Sequence, residues 1–129
     1  MNPGRECIHC HTTPADFGGS KGGPLFSFAG TVYPTAHEPD DCFGASGPTD
    51  VTIVITDAKG TELVLDVNSA GNFFAGASLV PADFTEPMHA KVVADGAERI
   101  MAGALESGDC NSCHTQEGTM SAPGRIILP

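Results

Sequence analysis

The sequence predicts a mainly β protein: an antiparallel β-sandwich of the immunoglobulin or transthyretin kind, with little helix and a cysteine-bearing segment at each end. Three observations carry this expectation. Short runs rich in β-branched and alternating apolar residues recur at intervals near ten residues, separated by turn residues. Glycine (16) and proline (10) are plentiful and follow no period, which suits a chain of many turns rather than a collagen-like or low-complexity one. No stretch shows the 3.6-residue apolar spacing of a long helix.

Taken in order, Leu25-Phe26-Ser27-Phe28-Ala29-Gly30-Thr31-Val32-Tyr33 alternates and reads as a strand. Val51-Thr52-Ile53-Val54-Ile55-Thr56 is a β-branched run, Asp57-Ala58-Lys59-Gly60 a turn, and Glu62–Val67 the returning arm of a hairpin. Asn68-Ser69-Ala70-Gly71 turns the chain into Asn72-Phe73-Phe74-Ala75. His89–Ala94, the turn Asp95-Gly96 and Glu98–Ala102 form a second hairpin, and Ile126-Ile127-Leu128 adds a closing strand. Three parts result: an N-terminal segment over residues 1–24, a sandwich core over 25–102, and a C-terminal segment over 103–129. Phe17–Pro24 reads as a flexible exit from the first segment.

The chain of 129 residues is 40% hydrophobic, enough for a core in one domain, and contains no Trp. Its formal charge is -10, with six Lys and Arg. Such a surface repels phosphate backbones and disfavours nucleic acid as a partner, while favouring basic partners. No apolar stretch approaches the ~20 residues of a membrane span. No export leader precedes Cys7, so the chain reads as a mature product.

Of five cysteines, four fall into two copies of one pattern. Cys7-Ile8-His9-Cys10-His11 and Cys110-Asn111-Ser112-Cys113-His114 both read C-x-x-C-H, the attachment signature of c-type haem. Two thiols one short turn apart reach the two vinyl groups on one porphyrin edge, and the next imidazole binds the iron. Cys7, Cys10, Cys110 and Cys113 are therefore the expected attachment residues of two haems c, with His11 and His114 as proximal ligands. Two rivals use the same residues: a pair of redox dithiols, which calls for a βαβ setting that is not visible, and one four-cysteine zinc site, which has no need of a His after each second cysteine.

Electron-transfer haems are normally six-coordinate, with His or Met on the far face. His37, in a loop bounded by Pro34 and Pro39, is the first candidate. His89, at the start of a strand, is the second. His9 sits between its own cysteines and serves only another haem, including one on a neighbouring subunit. Met88 and Met101 are reserve ligands. Cys42 is the odd thiol, read either as a small buried residue or as a reactive or intermolecular site.

Two resemblances add to this reading. Phe28–Tyr33, Val51–Gly60 and Val67–Phe73, running G-x-V, then V-x-V-x-D-x-x-G, then x-x-x-G-x-F, resemble carboxypeptidase-regulatory-like (transthyretin-like) sandwich domains over about residues 26–95. The insertion holding His37 and Cys42 departs from that pattern. With a motif at each end and Ala122-Pro123-Gly124-Arg125-Ile126 near the terminus, the whole chain resembles small dihaem cytochromes of exported bacterial electron-transfer systems. That resemblance implies haem attachment outside the cytoplasm, in the periplasm or at the cell surface, and other redox proteins or extracellular acceptors as partners.

A sandwich can hold its two end segments together or at opposite poles. Together, they make a compact carrier, periplasmic or tethered to the surface. At opposite poles, they favour head-to-tail self-association into an electron-conducting filament resembling multihaem cytochrome nanowires, with His9 or His37 given in trans. The filament is the first expectation and the carrier the alternative. A dihaem redox enzyme is a further rival, disfavoured because no acid–base pair accompanies the motifs. An adhesion or carbohydrate-binding module would leave the motifs unexplained.

Overall fold

The computed structural model describes residues 2–12, 24–41, 44 and 50–129. Seven strands form two sheets. β1 (Phe26–Tyr33) lies between β4 (Asn72–Gly76) and β7 (Ile126–Ile127) in one. β2 (Thr52–Thr56), β3 (Glu62–Asp66), β5 (His89–Ala94) and β6 (Ala97–Ile100) form the other, in the order β3-β2-β5-β6. The helices are short: α1 (Cys7–Thr12) and α2 (Cys110–Cys113), each built on one of the cysteine motifs. A 3-10 turn follows β4 at Ala77–Leu79. The mainly β, sandwich-like expectation holds, and each expected strand is present within about two residues, the ordinary scatter of strand ends.

The local chemistry explains the hairpins. β2 and β3 pair antiparallel from Thr52↔Asp66 to Thr56↔Glu62. Asp57 closes their turn, its carboxylate accepting amide bonds from Lys59 (2.9 Å), Thr61 (2.8 Å) and Thr85 (3.2 Å). β5 and β6 meet through Asp95 and Gly96, both at positive φ (50° and 80°), the two-residue turn whose twist matches the flanking strands. Pairing of β7 with β1 is parallel, at Val32↔Ile126 and Tyr33↔Ile127, so one edge of the otherwise antiparallel sandwich departs from expectation. The reason is connectivity: the chain reaches β7 after a long excursion through α2 rather than by a hairpin.

Strand alternation builds the core. Phe28 and Val32 of β1, Phe73 and Ala75 of β4, Ile53 and Ile55 of β2, Leu63 and Leu65 of β3, and Val92 and Ala94 of β5 form one buried cluster. β3 alternates buried and exposed along its length, as a strand with one wet face must. β1 does not: from Phe28 to Tyr33 every residue is buried. Its outward residues Ala29, Thr31 and Tyr33 are 0–1% exposed. Something covers the outer side of β1, and that cover is the two cysteine-bearing segments.

Burial alone would push the Asp57 carboxyl up, but the amides of Thr61, Thr85 and Lys59 and the Thr85 hydroxyl outweigh it and hold it below the usual carboxylate range. A depressed folded-state pKa gives stability that is present above the unfolded value, about 3.9, and is lost as pH falls through the folded value. Urea midpoints are therefore expected to drop on acidification below about pH 4, with a shallower drop in Asp57→Asn. Parallel curves for the two proteins would show that another group sets the acid limit.

Candidate functional site

The two C-x-x-C-H segments, about a hundred residues apart in sequence, lie against the same strand and against each other. The approach to α2 runs along the edge of β1 that β7 leaves open. Gly108 accepts the Ala29 amide on its carbonyl (2.9 Å), and Ala29 bridges to Asp109 in parallel. A Cβ on Gly108 would sit 1.8 Å from the Ser27 carbonyl oxygen, so only glycine permits this approach. Two residues on, a side chain takes over the ladder: the Asn111 Oδ1 accepts the Thr31 amide at 3.0 Å.

Asn111 is 1% exposed. Its Nδ2 donates to the Arg5 carbonyl (2.9 Å) and to Thr31 Oγ1 (3.1 Å), and lies 3.9 Å from Cys7 Sγ. Thr31 Oγ1 also accepts the Gly4 amide (3.1 Å) and donates to Asn72 Oδ1 (2.7 Å). A variable position of the second motif is thereby tied to the residues leading into the first.

Asp109 makes a second tie. It directly precedes α2, yet its side chain does not cap that helix. Instead its Oδ2 accepts the amides of Ile8 (2.9 Å) and His9 (3.1 Å), in the first turn of α1. Those amides have no partner inside a helix, and a carboxylate suits the positive end of the peptide dipoles. Burial pushes the Asp109 carboxyl above its usual range despite these amides. Its contribution to stability is therefore present at low pH and lost as pH rises through the folded value, opposite in sign to that of Asp57.

Arg125 closes the assembly from the C-terminal side. It is 3% exposed and donates to the carbonyls of Glu38 (2.9 Å), His114 (3.3 Å) and Gly4 (3.4 Å) and to the Asp40 carboxylate. Its guanidinium stands 5.0 Å from the centre of the Tyr33 ring, within cation–π range. One buried cation thus joins the first segment, the loop after β1 and the second segment.

Cys7, Cys10, Cys110 and Cys113 are all free thiols. Burial, then the Asp109 charge, pushes the Cys7 thiol up to about 11. Burial likewise pushes Cys110 up to about 12. A redox dithiol needs the opposite, a thiol pKa lowered toward neutrality. Among the described residues, no group of three or more His, Cys, Asp or Glu side chains converges as a metal site.

The imidazoles that follow the cysteines are held in different ways. His114 Nδ1 lies 2.8 Å from the Gly124 carbonyl oxygen. A carbonyl only accepts, so Nδ1 carries the proton and Nε2 keeps its lone pair, the arrangement of a metal-ligating histidine whose other nitrogen is anchored. His11 packs on Phe26 (ring centres 4.7 Å apart), and Phe26 on Phe74 (5.0 Å). Its buried Nδ1 has no hydrogen-bond partner among the described residues. Phe74 and Leu25 are 45% and 67% exposed. Phe26 and Phe74 thus form a partly exposed aromatic pair beside the His11 ring.

The remaining candidates separate. His37 is exposed and donates from Nδ1 to the Gln116 carbonyl oxygen (2.7 Å), two residues past His114, which leaves its Nε2 lone pair available. The loop carrying it is stitched to the first segment by Asp41, whose amide donates to the Pro3 carbonyl and whose carboxylate pairs with Arg5 at 2.6 Å. His9 is exposed on α1. His89 is exposed at the start of β5, in register with Thr56 on the four-stranded sheet, whereas both motifs lie on β1 of the other. Met88 and Met101 pack against the hydrophobic core. Cys42 and residues 17–23 of the expected flexible exit lie outside the described residues.

Sequence reasoning did not reach Asp109, Asn111, Thr31 or Arg125. A signal existed for two of them: Thr31 is a small polar residue on the outer side of a strand, and Arg125 is one of only six cations. Compared with protein-family models, curated proteins and solved structures, the chain matches none.

Proposed function

We propose that the chain is an electron-transfer protein of the c-type cytochrome class. It holds two haems through Cys7 and Cys10 and through Cys110 and Cys113, with His11 and His114 as proximal ligands. The carrying observation is the anchored His114, with its free Nε2 directly after a cysteine pair, in a segment locked to a second copy of the same motif. Haem iron supplies reversible one-electron chemistry when bound. The chain's own part is to fix where that chemistry sits. Asn111, Asp109 and Arg125 hold the segments in register, and Phe26 covers one side of His11. We assign His37 as the first candidate for a sixth ligand, because its ring is already oriented by Gln116. His89 and His9 rank behind it.

Tunnelling falls off steeply with distance, so neighbouring motifs favour a compact unit with a fast internal hop. That is the carrier reading, set outside the cytoplasm where haem attachment takes place, with redox proteins or extracellular acceptors as partners. The filament is our second reading. The opposite-pole layout that first motivated it is not the layout of the described segments. What still favours it is the exposure of His9 and His37 beside the motifs, within reach of a neighbouring subunit. No helix of the described residues is long and apolar enough to cross a membrane.

The reading predicts two low-spin irons that resist carbon monoxide in the reduced state. His37→Ala is expected to open one of them, with carbon monoxide then shifting about half of the Soret band. Rapid binding to the unaltered protein would instead indicate an open iron site and favour a redox enzyme.

A further inference from the structure

Two independent attachment points would need no contacts between the cysteine motifs. The contacts between them argue otherwise. Asp109 spends its buried carboxylate on α1 rather than on the helix it precedes. Asn111, in a spacer position that attachment chemistry leaves open, meets Thr31, Arg5 and Cys7. Neither arrangement is needed to hold a macrocycle on Cys110 and Cys113. Both fix the first motif relative to the second.

We propose that Asp109 and Asn111 are positioning residues that lock the first attachment segment onto the second, so that the two cofactor sites behave as one coupled pair. The locking is a property of the chain itself, whereas the coupling rests on the haem reading above. Coupling follows from geometry: sites held at fixed separation and orientation interact reproducibly, and sites on a loose tether average over many arrangements.

The test uses the full chain with Asp109→Ala, and with Asp109→Asn as the conservative variant that keeps an oxygen acceptor. Amide hydrogen exchange reads the locking. In Asp109→Ala, exchange is expected to accelerate about tenfold or more at Ile8 and His9. It should also accelerate at Cys10, whose amide bonds Glu6 and not Asp109. Amides of β2 should be unchanged, and Asp109→Asn should restore most of the protection.

Circular dichroism in the Soret region reads the coupling. The two-signed band of a fixed haem pair is expected in the unaltered protein, reduced by about half or more in Asp109→Ala and recovered in Asp109→Asn. Unchanged exchange at Cys10 together with an unchanged Soret signal would overturn the proposal. Faster exchange throughout β2 would overturn it as well, because Asp109 would then support the core rather than the joint. A chain that carries no haem ends the functional reading and the coupling with it, while the exchange result still decides the locking, so the two failures are told apart.

Discussion

Replacing Cys110 and Cys113 together by alanine is expected to leave a chain carrying one haem instead of two. Thioether attachment needs the sulfurs, and only Cys7 and Cys10 remain placed beside a following imidazole. The intact mass should fall by one haem, and absorbance per chain at the Soret maximum should fall by about half. The sandwich should survive with some loss of stability, because alanine keeps the Cβ of Cys110 against the buried cluster of Phe28, Ile53, Ile55, Leu65 and Phe73 and removes only its sulfur. The reciprocal pair, Cys7→Ala with Cys10→Ala, should leave the other haem. Loss of both haems from either pair would mean that the motifs load as a unit. Retention of both would mean that the sulfurs are not the attachment points.

The second large effect is expected at Asn111. Asn111→Ala removes the acceptor of the Thr31 amide and the donor to the Arg5 carbonyl, and both groups are left without replacement on the covered side of β1. Each buried polar group left unpaired costs about 1–3 kcal/mol, which puts the total near ~3 kcal/mol in urea unfolding. Asn111→Ser should cost a similar amount, since the shorter side chain spans neither contact. A loss below about 1 kcal/mol would show that water enters and replaces the amide, and that the joint between the segments is looser than these distances imply.

The strands were legible because their chemistry is local. Val51–Thr56 is β-branched throughout, and Asp95-Gly96 can do little other than turn. The repeated C-x-x-C-H pattern was visible for the same reason, since each copy spans five consecutive residues. What could not be read is how the segments meet. Asn111 occupies a spacer position where sequence alone gives no reason for one residue over another. Its role depends on Thr31 and Arg5, which lie 80 and 106 residues away. The same holds for Asp109, which looks like a cap for its own helix and instead caps another. Parallel pairing of β7 was missed because Ile126-Ile127 announces a strand but not its neighbour.

The burial of β1 on both sides is the structural fact that joins these observations. A sandwich strand normally shows one face to water, and here Ala29, Thr31 and Tyr33 are sealed by the segments that carry the cysteines. The sandwich therefore serves as a platform, and the chain's two ends are brought together on one of its strands.

The most direct measurement is the intact mass of the denatured chain after production in a host that exports it and attaches haem. The account predicts the polypeptide plus two haems, retained after acid and organic solvent because the links are covalent. A colourless product at the bare 13.2 kDa of the polypeptide would contradict it.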